Sequence, residues 1–256
     1  MKSVNSIVIL TVVFLIVACQ EKAMNPAIQD GPDFSVTPME NQEAELIALH
    51  LSGELIAPVP LYRKVKKELE IIRNTWIDSI PEVGYRHTLY IRPSLLQGGL
   101  SIALLDSIVS GTYTFWDSLN LYYGFDSISI RQVPMGDTVY NYYILHFKGR
   151  LNSCILQSAY SQLPGFEKVK MVVVGVYGPT LCASIDGDNV KYFFTNRYGD
   201  CLRGCIYKDF YYFTVIQDQA VFHGSYLDNV TSPPDSSRPN WVDTAVNALY
   251  MTSRCP

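Results

Sequence analysis

The sequence predicts an α+β fold, in which an N-terminal helical hairpin precedes a ferredoxin-like β-α-β-β-α-β unit whose sheet is extended by an antiparallel β-meander. Three observations predict it. Apolar residues recur at spacings of three and four through residues 37–77, which is the period of amphipathic helices. Strand-like and helical segments alternate through 86–176, and short strands separated by turn sequences follow from 180.

The helical hairpin is expected over residues 37–85. Thr37-Pro38-Met39-Glu40 has the arrangement of a capping box with proline at the first helical position. The first helix is expected to end at Pro58 and Pro60, and a second apolar stripe predicts another helix over 60–77.

The α+β domain is expected over residues 86–230. Its first half contains four strands and two helices, and Gly111 is expected to interrupt the first helix. The β-branched run "KVKMVVVGV" is typical of a central buried strand. Two right-handed crossovers would place both helices on one face of the sheet. In order, the segments are strand 86–93, helix 99–124, strand 127–133, strand 139–147, helix 151–163 and strand 168–176.

The second half of this domain is the predicted meander. Turn residues such as "DGDN" separate its strands, which are expected to join the sheet of the first half. A linker and a short closing helix are expected over 231–256. The strands are predicted at 180–186, 189–198, 206–216 and 220–227.

The first eighteen residues have the features of a secretory signal peptide. Lys2 precedes the twelve-residue apolar run "IVILTVVFLIVA", which is short for a membrane span. The run ends in Ile16-Val17-Ala18-Cys19, which resembles the lipobox of bacterial lipoproteins. The resemblance implies a lipid on Cys19, a tether over 19–36, and a place in the cell envelope, on the outer membrane facing the periplasm or the cell surface. An ordinary signal peptide with a chance cysteine is the alternative.

A second resemblance concerns residues 159–172. The segment "AYSQLPGFEKVKMV" is similar to the propeptide modules of subtilisin-type proteases, in which a helix runs through a Pro-Gly turn into a strand. It implies a small module that docks on another protein.

Charge and motifs exclude several classes of function. Twenty lysines and arginines face 24 aspartates and glutamates, and a net charge of −4 without basic clusters argues against nucleic-acid binding. The chain has no G-x-S-x-G, H-E-x-x-H, P-loop or G-x-G-x-x-G motif. We therefore assign no catalytic residue, no metal ligand and no cofactor from the sequence.

Cys201 and Cys205 in "GDCLRGC" admit several interpretations. A redox pair favours C-x-x-C at a helix start, and a zinc site needs four ligands. A glycine-containing turn between strands favours a disulfide, and an envelope location permits one. We expect a Cys201–Cys205 disulfide, with free or differently paired thiols, a metal site and a redox pair as alternatives.

The eighteen tyrosines are the remaining signal of function. Many lie in predicted strands, and neighbours such as Tyr211 and Tyr212 must point to opposite faces. Exposed tyrosines on a sheet suit binding to an envelope protein or a glycan, whereas ordinary packing of β-forming residues is the alternative. We expect a non-enzymatic binding or assembly module with Tyr211 and Tyr212 as candidate binding residues. The alternatives are an envelope hydrolase with an unrecognised site and a propeptide-like protease-docking module.

Overall fold

The computed structural model describes residues 39, 41–85, 91–99, 102–135, 138–173, 178–199, 205–229 and 237–251. Within these residues the fold is α+β, with six α-helices and two antiparallel four-stranded sheets. The helices are α1 (Gln42–Ser52), α2 (Val59–Trp76), α3 (Ile102–Val109), α4 (Asp117–Tyr122), α5 (Ser153–Tyr160) and α6 (Asn240–Met251), with a 3₁₀ helix at Pro81–Gly84. The strands are β1 (Ile91–Gly99), β2 (Phe125–Met135), β3 (Thr138–Phe147), β4 (Glu167–Val173), β5 (Thr180–Asp186), β6 (Asn189–Tyr198), β7 (Tyr207–Ile216) and β8 (Gln219–Asn229).

Helix α1 is shorter than the sequence pattern indicates. The side chain of Asn41 caps it by accepting a hydrogen bond from the Ala44 N–H at 3.1 Å, so the cap lies four residues beyond Thr37. Gly53 ends it in the left-handed conformation, with φ 67°, before the predicted stop at Pro58. Thr37, Pro38 and Glu40 lie outside the described residues.

The first sheet has the strand order β2-β3-β1-β4, and every neighbouring pair is antiparallel. Helices α3, α4 and α5 cover one face, and Gly111, with φ 72°, separates α3 from α4 as expected. The expectation that the 168–176 segment is a central strand is wrong, because β4 lies at the sheet edge. Val169 and Met171 are buried while Lys168 and Lys170 are exposed, so this strand buries one face.

The second sheet contains the meander strands in sequential order, β5-β6-β7-β8. The expectation that they extend the first sheet is therefore wrong. The physical reason is that this sheet is apolar on both faces: Tyr192 and Phe194 point to one side, and Phe193 and Phe210 to the other. Helices α1 and α2 cover the first of these faces, and α6 covers part of the second.

The segment that joins α1 to α2 connects the two cores. Leu55 and Ile56 pack against the core of the first sheet, whereas α1 and α2 themselves pack on the second sheet. The Asn152 N–H donates to the Leu55 carbonyl at 3.0 Å, and Arg150 forms an ion pair with the buried Glu45 of α1.

Candidate functional site

The structure separates the two predicted binding tyrosines. Tyr211 and Tyr212 are neighbours on β7, and alternation directs them to opposite faces of the second sheet. Both are half-buried. The side chains that surround the two tyrosines differ.

Tyr212 belongs to a row of stacked rings on the face that α6 partly covers. It stacks on Phe193 at 5.1 Å and on His223 at 4.3 Å between ring centroids, and it contacts Trp241 at 5.6 Å. The three stacked rings come from adjacent strands, as cross-strand packing requires. Tyr212 thus packs within this row of rings, and its predicted binding role remains a prediction.

Polar side chains beside this row of rings also form hydrogen bonds and ion pairs with one another. Thr214 Oγ1 lies 2.8 Å from His223 Nε2, and Lys191 forms an ion pair with Asp186 at 2.6 Å. Burial lowers the pKa of His223, and the nearby Lys191 charge lowers it further. The Thr214 side chain is buried, so its hydroxyl is not accessible as a nucleophile.

Tyr211 belongs to a second group of side chains, on the face that α1 and α2 cover only in part. Beyond the 3₁₀ helix this face is exposed, and we call its exposed end the tyrosine face. It consists of Glu82, Tyr198, Tyr207, Asp209, Tyr211 and Leu227.

The tyrosine face is built by pairing of β6, β7 and β8. Tyr198 lies opposite Tyr207 in the register, and Asp209 lies opposite Leu227. The rings of Tyr198 and Tyr207 stack with 5.3 Å between centroids and an interplanar angle of 27°. Tyr198 is 42% exposed, Tyr207 36% and Leu227 53%, so a large part of this apolar and aromatic surface is in contact with water.

Two carboxylates border the stacked pair. Asp209 lies beside the Tyr198 hydroxyl, and Glu82 of the 3₁₀ helix lies beside the Tyr211 hydroxyl. Burial raises the pKa of Asp209 and the Glu82 charge raises it further, while the neighbouring Tyr198 hydroxyl lowers it. Burial also raises the pKa of Tyr211, and the two carboxylate charges add to this effect. The site therefore combines aromatic surface with two electrostatically coupled acids.

Tyr198, Tyr207 and Tyr211 lie in predicted strands, but no sequence pattern predicts that they lie beside both Glu82 and Asp209. A signal was present in "YKDFYY", where Tyr207, Asp209 and Tyr211 alternate and so share a face. Hairpin pairing of the strands on either side of the cysteine loop brings Tyr198 opposite Tyr207. Glu82 carries no such signal, because it comes from a distant 3₁₀ helix.

Three cysteines, Cys154, Cys182 and Cys205, lie among the described residues. Cys154 and Cys182 form no disulfide, and burial raises the pKa of the Cys182 thiol. Cys205 is buried and disulfide-bonded. Cys201 and Cys19 lie outside the described residues. The Cys201–Cys205 disulfide and the lipid on Cys19 remain predictions.

A Ser–His pair on the first sheet bears on the hydrolase alternative. Ser129 Oγ lies 3.0 Å from His146 Nε2 on the sheet face opposite the helices, and Ser129 is exposed. Within the described part of the chain, no carboxylate is hydrogen-bonded to His146 to orient its ring. A hydrolase needs such an orienting group and an oxyanion site, so this alternative remains a hypothesis.

An apolar groove between α4 and α5 was not anticipated from the sequence. It has a volume of about 560 Å³ and is open to solvent. It is lined by uncharged side chains, namely Phe115, Leu119, Tyr123, Ile155, Ser158, Ala159, Gln162 and Leu163.

Two other features are absent from the described residues. No three or more His, Cys, Asp or Glu side chains among these residues are grouped so that they can hold a metal ion. Nor does any helix in this part of the chain combine the length and apolar character needed to cross a membrane. Comparisons of the chain with protein-family models, curated proteins and solved structures gave no match.

Proposed function

We propose that this protein is a non-enzymatic binding or assembly module of the cell envelope, which binds its partner through the tyrosine face. The lipobox-like sequence Ile16-Val17-Ala18-Cys19 supports attachment by a lipid on Cys19, with the tether over 19–36 carrying the folded part away from the membrane.

The proposal includes a finer description of the architecture. The first sheet and its helices form a ferredoxin-like unit, a description that the strand order β2-β3-β1-β4 and the antiparallel pairs support. Helices α1 and α2 form a helical hairpin, which their mutual packing and the Arg73–Glu43 ion pair of 2.6 Å between them support.

The observation that carries the binding role is the exposed stacked pair of Tyr198 and Tyr207. Tyrosine is enriched in protein interfaces, because it presents a large rigid surface with one polar atom. Leu227 lies on the same face, so aromatic and aliphatic surface are adjacent. Tyrosines are enriched among the few interface residues whose replacement by alanine costs about 2 kcal/mol or more of binding free energy.

The test compares partner capture by wild-type protein and by the double variant Tyr198→Ala/Tyr207→Ala. Both proteins are purified from their native membranes after in situ crosslinking, and the captured partners are quantified by mass spectrometry. The matched control is Tyr142→Ala, which removes a 39% exposed tyrosine from the other sheet. We expect the double variant to lose a specific partner by at least about tenfold, equivalent to about 1.4 kcal/mol, while the control retains it.

Equal capture by all three proteins would overturn the proposal. Thermal unfolding of each variant is measured first, because a loss of capture is informative only when the variant is folded. Since Tyr198 and Tyr207 are both partly exposed, their removal is expected to leave the fold intact.

A further inference from the structure

We propose that the tyrosine face binds a lysine- or arginine-bearing segment of a partner protein, with the cationic side chain held against Tyr198 and Tyr207 and beside Glu82 and Asp209. This inference rests on the proposed function, because it specifies the partner chemistry of the same surface.

Two carboxylates give the tyrosine face a negative charge. Glu82 lies on the 3₁₀ helix that packs against β6, and Asp209 lies on the same sheet face, opposite Leu227. Within the described residues, neither carboxylate forms an ion pair with a cation of this chain. Each carboxylate lies beside one tyrosine hydroxyl, and the two oxygens of a carboxylate can accept hydrogen bonds from further donors.

The cations of neighbouring described residues point away from the tyrosine face or are paired within the chain. Arg197 and Lys208 are paired across β6 and β7, next to the Tyr198–Tyr207 pair. Because adjacent residues of a strand alternate, their side chains point to the face that α6 covers. Arg73, which lies behind the 3₁₀ helix, is engaged with Glu43 and with the Val83 carbonyl. Among the described residues, no cation therefore compensates the negative charge on that face.

The aromatic rings of the tyrosine face also favour a cationic ligand. The face of a tyrosine ring attracts cations through its quadrupole, and a neighbouring carboxylate adds a charge-assisted hydrogen bond. Tyr198 and Tyr207 supply the rings, while Asp209 and Glu82 supply the acids. An ammonium or guanidinium group can contact the rings and the carboxylates together, whereas the carboxylates repel an anionic ligand. A basic protein segment also has aliphatic side-chain stems that pack on Leu227.

The experiment measures binding of a synthetic peptide that alternates lysine with glycine and serine, using isothermal titration calorimetry with the purified full chain. The same peptide with acetylated lysines is the neutral comparison and requires no protein variant. We expect the lysine peptide to bind at least tenfold more tightly than the acetylated one, and added salt to weaken its binding.

Two protein variants locate the site. Glu82→Gln/Asp209→Asn removes both charges but keeps acceptors for the tyrosine hydroxyls, and we expect it to bind the lysine peptide at least tenfold more weakly. Glu70→Gln removes an exposed carboxylate of α2 and is expected to bind like wild type. Equal binding of the two peptides, or unchanged binding by the Glu82→Gln/Asp209→Asn variant, overturns the inference.

Capture of the native partner separates this inference from the proposed function. If Tyr198→Ala/Tyr207→Ala loses the partner but Glu82→Gln/Asp209→Asn retains it, the tyrosine face binds a partner that is not cationic, and the inference alone is wrong. If both variants retain the partner, the proposed function fails as well.

Discussion

Glu68 is a carboxylate buried between α2 and the second sheet, where it accepts a hydrogen bond from Tyr192 at 2.6 Å. Burial raises its pKa, because the charged form loses hydration. The Tyr192 hydrogen bond and the nearby Lys64 oppose this effect without cancelling it. A raised pKa in the folded state means that the Glu68 contribution to stability is full below the unfolded pKa and is lost as the pH rises through the folded pKa.

We predict that the free energy of unfolding of Glu68→Gln, relative to that of wild type, is higher at pH 7.5 than at pH 4.5. The glutamine carbonyl still accepts from Tyr192, but the variant has no buried charge to form as the pH rises. Urea unfolding at several pH values measures the difference, which amounts to about 1.4 kcal/mol for each unit of pKa shift. Glu70→Gln on the exposed side of α2 is the control and is expected to follow wild type. If the difference in stability between Glu68→Gln and wild type does not change with pH, this account is contradicted.

At the scale of single residues, alternation along a strand is the strongest information in the sequence. It correctly separates Tyr211 from Tyr212, because the two faces of a strand follow from the backbone alone. Alternation does not show which of the two faces is exposed to solvent. Tyr212 is packed because His223 and Trp241 come to it from β8 and α6, and neither contact has a local signal in "FYYF".

At the scale of elements, β1 and β3 approach closely where Gly98 lies under Tyr143. A methyl group on Gly98 would lie 2.5 Å from the Tyr143 hydroxyl and 2.8 Å from its Cζ. The ring is fully buried and packs edge-on against Phe166 at 5.4 Å, so it has little freedom to move. Its hydroxyl is buried and has no hydrogen-bond partner in the described part of the chain.

We predict that Gly98→Ala lowers the free energy of unfolding by about 1–3 kcal/mol, the usual cost of overpacking. Gly99→Ala is the matched control, since nothing lies within 4 Å of its added methyl group. Chemical denaturation of both variants tests the difference, and Tyr143→Phe, which removes the hydroxyl, is expected to reduce the cost of Gly98→Ala. Equal stability of the two alanine variants would show that the contact is not tight.

Element positions were predictable to different degrees. Residues 60–77 were predicted as a helix and α2 spans Val59–Trp76, because a long amphipathic stripe has few competing interpretations. The strands β5 and β6 also match their predicted segments, since turn residues border both. The start of α1 was misplaced, because Thr37 and Asn41 are both good caps and the choice between them is made by packing.

At the scale of the whole molecule, the number of sheets was not predictable. A meander strand has the same alternation whether it joins an existing sheet or begins a new one. The second sheet is separate because Tyr192 and Phe194 are buried under α1 and α2, whereas Phe193 and Phe210 are buried under α6. The tyrosine face exists for the same reason, since these helices do not cover the end of the sheet at Tyr198 and Tyr207.

The central claim is that this exposed end of the second sheet is where the protein meets its partner. The most direct measurement is site-specific photocrosslinking in living cells, with a photoreactive phenylalanine analogue at position 207 or, as the control, at position 142 of the first sheet. We predict a discrete crosslinked adduct from position 207 and none from position 142. Adducts of equal yield from both positions, or an adduct from position 142 alone, would contradict the assignment of the tyrosine face as the binding surface.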